Sequence, residues 1–280
     1  MRILPDLPDL RVLPVDSLRP HEHDDAQRGG RLQAALAREG VLRNPPIVLQ
    51  LTAHPERYVV LDGANRTAAF REMGIRYILA QVVHAGDSRV EIETWNHAVL
   101  GMTPEALEGA LRSLEGVELR PAEVGEAETD LARRESLAYL SQRGDRTLSI
   151  LAQVSDAARR VEGLNRLVDC YRYAGTVERT NARAQREVDD AFAQLAGLLV
   201  FLPFNVQDVV DAVSEGWLLP GGLTRFVVSP RALRVNYPIA ALQSDEPRET
   251  KERALDEWLK EQVARRRVRY YAEATYLFDE

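Results

Sequence analysis

Leu61-Asp62-Gly63-Ala64-Asn65-Arg66-Thr67-Ala68-Ala69 is the stretch whose reading decides the fold. Before it, the β-branched run Tyr58-Val59-Val60-Leu61 predicts a strand that ends at Asp-Gly. After it, Thr67 to Met73 predicts a helix that stops at Gly74. A strand turning through glycine into a helix aims several unpaired backbone N–H groups at one point, with the positive end of the helix dipole behind them. Such a turn suits phosphate, and here an arginine and a carboxylate flank it. The local pattern alone equally allows Asp62 as a plain helix cap and Arg66 as the partner of a surface carboxylate.

Outward from this turn, residues 10–100 alternate short strands and helices. Strands are predicted at Leu10 to Val15, Ile47 to Leu51, Arg57 to Leu61, Ile78 to Val83 and Val90 to Trp95, with a helix at Gly30 to Glu39. Ser17 to Asp25 reads as a polar loop. Pro104 to Asp130 predicts a helix followed by a linker, and Leu137 to Leu151 a hairpin around Arg143-Gly144-Asp145. Helices are predicted at about 156–173, 184–200 and 206–215, the last capped by Asn205. Leu223 to Val228 and Leu233 to Tyr237 read as strands, Pro247 to Arg265 as a charged helix, and Val268 to Phe278 as a final strand. The expected fold class is therefore α/β (α+β), with a helical middle. The expected division is 1–102 and 103–280.

The chain has 280 residues, a net charge of −7 and one cysteine, Cys170. That count excludes an intrachain disulfide and a multi-cysteine metal site. No apolar run is long enough for a membrane span and no signal peptide opens the chain, so a cytoplasmic protein is expected. The acidic balance argues against a surface dedicated to nonspecific nucleic-acid binding. Arg265-Arg266-Arg267 with Arg269 is the one local feature that points to DNA, and a solvated helix end explains it as well. Phe192, Leu195, Leu198, Leu199 and Phe201 read as internal core, with a homodimer surface as the alternative.

A second polar cluster, Pro20-His21-Glu22-His23-Asp24-Asp25, gathers two histidines and three carboxylates on a predicted loop. It matches no helical zinc spacing, and a solvated acidic loop is its plain reading. Trp95, ending a strand, is by its pattern a core residue.

Taken together, Pro20-His21-Glu22, the Asp62-to-Arg66 turn, Thr94-Trp95-Asn96-His97, and Leu219-Pro220-Gly221-Gly222-Leu223-Thr224-Arg225-Phe226 with Ser229 and Arg231 resemble the free L-serine kinases of the ParB/sulfiredoxin-like fold. Val177-Glu178-Arg179 is a weaker echo. The resemblance runs from residue 10 to the C-terminus. It implies an N-terminal ParB/sulfiredoxin-like nucleotide-binding domain whose substrate cleft the rest of the chain completes. Sulfiredoxin chemistry needs a cysteine thiolate before the arginine of the turn, and Ala64 stands there. Partition proteins carry a basic clamp that this acidic chain lacks.

The resemblance implies phosphorylation of free L-serine from ATP or ADP with Mg²⁺. Gly63, Ala64, Asn65, Arg66 and Thr67 would hold the nucleotide phosphates, and Asp62 would bind the metal or one of its waters, or orient the serine. Glu22 would be the base. Thr94, Trp95 and His97 would contact the amino acid, and Arg225 and Arg231 would reach its carboxylate or the donor phosphates. The alternative is a nucleotide-responsive transcriptional regulator with little or no kinase activity. One departure stands out: the kinases carry His-Arg where this chain has Asn65-Arg66. Asparagine donates a neutral hydrogen bond but supplies neither a proton nor a charge.

Overall fold

The computed structural model describes residues 7–23, 26–84, 86–87, 89–152, 156–192 and 194–271. Along the chain lie β1 (Leu10–Pro14), β2 (Leu18–Pro20), α1 (Ala26–Glu39), β3 (Val41–Leu42), β4 (Ile47–Gln50), β5 (Tyr58–Asp62), α2 (Ala64–Glu72), β6 (Tyr77–His84), β7 (Val90–Thr94) and β8 (Asn96–Leu100). They continue with α3 (Pro104–Arg112), β9 (Val117–Pro121), α4 (Val124–Ala132), β10 (Ser136–Gln142), β11 (Arg146–Ala152), α5 (Ala157–Arg172), β12 (Thr176–Thr180) and β13 (Leu195–Phe201). The last are α6 (Val206–Ser214), β14 (Thr224–Val228), β15 (Tyr237–Pro238), α7 (Ile239–Gln243) and α8 (Arg248–Ala264). No helix among the described residues is long and apolar enough to cross a membrane.

The elements gather into two compact units of discontinuous sequence: Met1–Arg19, Ala26–Asp87 and Pro230–Glu280 in one, Pro20–Asp25 and Ser88–Ser229 in the other. This differs from the single cut expected at 102, because the C-terminal segment joins the core of the N-terminal one. Tyr237 and Pro238 pair with Leu42 and Val41, Tyr237 meets Trp258 edge-on, and Leu255 of α8 is fully buried.

In the first unit the sheet order is β1-β6-β4-β5-β2, with β4 parallel to β6. Val12, Leu13, Val60, Phe70, Ile78 and Leu79 form its core with Leu255. Fully burying a leucine contributes about 1.5–3 kcal/mol, which ties α8 to the sheet. Lys251 is buried and its ammonium donates to the carbonyls of Ala241, Leu242 and Ser244, closing the C-terminal end of α7. Strand β6 is buried along seven of its eight residues. One of those, Gln81, is polar.

In the second unit six strands run β12-β8-β13-β10-β11-β9, each pair antiparallel. The expected helix at 184–200 is instead the buried central strand β13, Leu-Ala-Gly-Leu-Leu-Val-Phe. A continuous apolar run of that length fits a buried strand or a buried helix equally, and pairing with β8 and β10 decides it. Leu195, Leu198, Leu199 and Phe201 are thus internal core of this unit. The expected linker after α3 holds β9 and α4. Strands β8 and β12 also went unpredicted, so the expected helical middle is a helix-covered sheet.

The hairpin at 143–145 and the Asn205 cap, whose side chain accepts from the Asp208 N–H, form as expected. Strand β7 pairs with β14 as a separate ribbon. Within 233–237 only Tyr237 is in a strand, and residues 268–271 form none. The rest of the expected final strand, with Asp24 and Asp25, lies outside the described residues.

Candidate functional site

In the first unit, β5 delivers Asp62 to the turn and Gly63 begins α2 with φ +91°, a left-handed conformation open to glycine. A side chain at 63 is excluded twice, since a Cβ would lie 2.8 Å from the Arg66 guanidinium and 2.9 Å from Pro46 Cβ. No side chain caps α2, so its first N–H groups are left for a ligand. Thr67 is buried and turns its hydroxyl back to the Gly63 carbonyl at 3.2 Å. Asn65 is half-buried, and its carboxamide makes no hydrogen bond among the described residues.

Arg66 donates to the Asn44 carbonyl at 2.9 Å and to Asp62 Oδ2 at 3.1 Å. Arg231 donates to the same Oδ2. Burial lowers the pKa of both guanidinium groups, which nonetheless stay charged. Two cations on one carboxylate leave the turn net positive.

Sequence reasoning missed what places Arg231. The buried Gln81 carboxamide donates to the Pro230 carbonyl at 2.9 Å and accepts from the Ala232 N–H at 2.8 Å. It grips the backbone on both sides of Arg231. Its sequence signal is slight: one polar residue in an apolar strand.

In the second unit, Glu22 lies beside the Gly221-Gly222 loop. Its Oε2 accepts from the Gly222 N–H at 2.9 Å, and its Oε1 from the Thr224 N–H at 3.0 Å and from the Thr224 hydroxyl. The His21 Nε2 lies 2.7 Å from Thr224 Oγ1 and 3.6 Å from Glu22 Oε1. The threonine has one hydroxyl proton and gives it to Glu22, so His21 Nε2 carries a proton and donates to Oγ1. Burial pushes the Glu22 pKa up, but His21, Thr224 and Gly222 outweigh it and bring it down to about 2. Glu22 is therefore a firmly ionised acceptor.

The remaining candidates fall around this loop. His97 is buried, with Nδ1 2.7 Å from the Tyr171 hydroxyl and Nε2 3.3 Å from the Gly222 carbonyl. Burial takes its pKa down to about 4, opposed by the Gly222 hydrogen bond and aided by Arg179 and Arg172. A neutral imidazole with both nitrogens engaged supports the loop from beneath. Thr94 accepts from the Phe204 N–H at 3.2 Å and so ties β7 to the segment after β13. Trp95 is half-buried rather than core, and the Arg225 guanidinium lies over its ring at 4.8 Å while bonding Glu93 at 2.9 Å. Gly222, Thr224, His21 and Tyr171 were given no role of their own in the sequence reading, although His21 stood in the polar cluster and Gly222 and Thr224 in a matching stretch.

Among the described residues no group of three or more His, Cys, Asp or Glu side chains forms a metal site. Asp62 keeps one oxygen, Oδ1, outside its arginine contacts. That oxygen is the one hard donor the Asp62 carboxylate leaves for a cation. Burial pushes the Cys170 thiol up to about 11, and it donates to the Leu167 carbonyl, which favours the neutral thiol.

Fold and geometry together define an α/β protein with an uncapped helix start flanked by two arginines in one unit and a caged carboxylate in the other. No protein-family model matches the chain. It is similar to the ATP-dependent L-serine kinase SbnI of Staphylococcus aureus, 24% identical over 97% of each chain. It is also similar to an ATP-dependent L-serine kinase of Staphylothermus marinus, 33% identical over 35% of this chain and 38% of that protein. Its fold is that of C-terminally truncated SbnI from Staphylococcus aureus (TM-score 0.73, 21% identity, covering 91% of this chain and 97% of that one). A free serine kinase in complex with AMP shares it (TM-score 0.68, 18% identity, covering 86% and 97%).

Proposed function

We propose that this protein is an ATP-dependent kinase of free L-serine. The observation that carries the reading is the Glu22 carboxylate, held ionised by Gly222 and Thr224, in a chain similar along 97% of its length to an L-serine kinase.

The first unit binds the donor. The free N–H groups of Ala64, Asn65 and Arg66 and the Asn65 carboxamide face phosphate oxygens, and Arg66 and Arg231 balance their charge. Asn65 serves here by hydrogen bonding alone. Asp62 would hold Mg²⁺ through Oδ1, a hard oxygen donor of the kind that ion takes. The ion's contribution is to neutralise phosphate charge during transfer.

The second unit presents the acceptor. Glu22 accepts a hydrogen bond from the serine hydroxyl and orients it. With a pKa near 2 it is a weak base in the ground state, and it takes the proton only late, as the attacking oxygen becomes acidic. The serine Oγ–P bond forms as the bond from the γ-phosphorus to the ADP oxygen breaks. The products are O-phospho-L-serine, ADP and a proton. Trp95 and Arg225 border the amino acid, while Thr94 and His97 hold the elements behind it.

Incubating the protein with L-serine, Mg²⁺ and either ATP or ADP, with phosphoserine read by mass spectrometry, tests the proposal. Product from ATP is expected, and no product from either donor overturns it. Nothing in the described geometry favours the DNA reading, and Arg265 is paired with Glu261.

A further inference from the structure

We infer that Arg179 is the receptor for the carboxylate of the amino-acid substrate, and that it makes the second unit select a free amino acid over a simple amino alcohol. The inference rests on the kinase reading above.

Arg179 lies on the edge strand β12, directly opposite His97 in the register with β8. Directly opposed residues share a face of the sheet, so Arg179 points the way His97 does, toward the glycine loop. Its neighbour Glu178 points the other way. Gly222 is engaged on three sides: its N–H donates to Glu22, its carbonyl meets His97 Nε2 at 3.3 Å, and its bare Cα faces the Arg179 guanidinium. A Cβ at 222 would lie 2.5 Å from Arg179 Nη2 and 2.7 Å from Nε. With φ +93° as well, a side chain at 222 would be strained and would push the Arg179 guanidinium off the loop.

Charge completes the argument. Arg179 is exposed and makes no hydrogen bond or ion pair among the described residues. Two other arginines lie near the loop: Arg172 is paired with Asp169 at 3.6 Å and lies over the Tyr173 ring, and Arg225 is paired with Glu93 at 2.9 Å. Glu22 is engaged by Gly222 and Thr224. One guanidinium is left over, one glycine's width from the carboxylate that orients the hydroxyl. Serine has the matching shape, since only three bonds link its carboxylate carbon to Oγ. A guanidinium fork accepts a carboxylate through paired N–H donors.

The test compares wild type, Arg179→Ala and Arg179→Lys with L-serine and with ethanolamine, which is serine without its carboxylate. Thermal unfolding of each variant checks the fold. For Arg179→Ala the KM for serine is expected to rise about tenfold or more, as loss of one charge-assisted hydrogen-bonded contact implies. The KM for ATP and that for ethanolamine should stay within about twofold, and Arg179→Lys should recover part of the loss. Titration calorimetry with L-serine reads the same contact without turnover. An unchanged serine KM, an equal rise for ethanolamine, or a rise confined to ATP overturns the assignment while the kinase reading stands. Serine binding that depends on Arg179 without phosphoserine from wild type overturns the kinase reading and leaves the receptor. Neither binding nor product overturns both.

Discussion

Asp62 and Glu22 are both carboxylates at the centre of a site, yet they are held by opposite means. Asp62 in the first unit is 37% exposed and gripped by two arginines. Glu22 in the second is 17% exposed and held by backbone N–H groups and one hydroxyl. Arginine pairing cancels the Asp62 charge and leaves a net cation, the charge the proposed donor phosphates would meet. Around Glu22, the His21 ring, the Thr224 hydroxyl and backbone N–H groups hold the carboxylate ionised with no arginine paired to it.

The sharpest way to break the comparison is Glu22→Gln. A neutral carboxamide cannot take the hydroxyl proton, so kcat should fall by about two orders of magnitude or more while ATP affinity holds. Near-normal phosphoserine production by that variant removes Glu22 from the mechanism. Asp62→Asn should act in the opposite sense on binding. Freed of their carboxylate, Arg66 and Arg231 would hold ADP more tightly in the absence of Mg²⁺, with turnover down about tenfold or more. Weaker metal-free ADP binding in a titration would show that Asp62 organises the arginines rather than competing with the phosphates.

Gln81→Leu should weaken nucleotide affinity about fivefold, the scale of one or two uncharged hydrogen bonds. The effect should vanish in an Arg231→Ala background, because Gln81 acts through Arg231. Additive losses in that double-mutant cycle would make Gln81 merely structural. The smallest expected effect concerns His97, buried and neutral. Its folded pKa of about 4 lies below its unfolded value of 6.5, so its stabilising contribution is present above 6.5 and is lost as pH falls toward 4. Glu22 contributes in the same direction at lower pH, between about 4.5 and 2. Urea midpoints measured from pH 7 to 4.5 should therefore decline in wild type, and less so in His97→Asn. Parallel declines would assign the titration to other groups.

The strand–glycine–helix turn was legible in the sequence because everything it needs is local. Strand, glycine, helix start and Arg66 follow one another within nine residues, and Gly63 has the φ that the turn demands. Strands β1, β4, β5, β6 and β7 were legible too, whereas β2, lying in the expected polar loop, and β3 and β8 were not. Strand β13 was not, since a wholly apolar run has no period that separates strand from helix. Strands β9 and β12, half-exposed edges of the sheet, carried too few apolar residues to announce themselves.

The sequence by itself determined the mixed α/β class and the strand–glycine–helix turn from Asp62 to Arg66. Only the tertiary structure decided how the charges around each carboxylate are balanced. Arg231 reaches Asp62 across 169 positions, Thr224 reaches Glu22 across 202, and Gln81 grips the chain around position 231 from 149 and 151 positions away. A hydrogen bond is set by distances of about 3 Å in space, and residues so far apart in the chain leave no spacing from which to infer it.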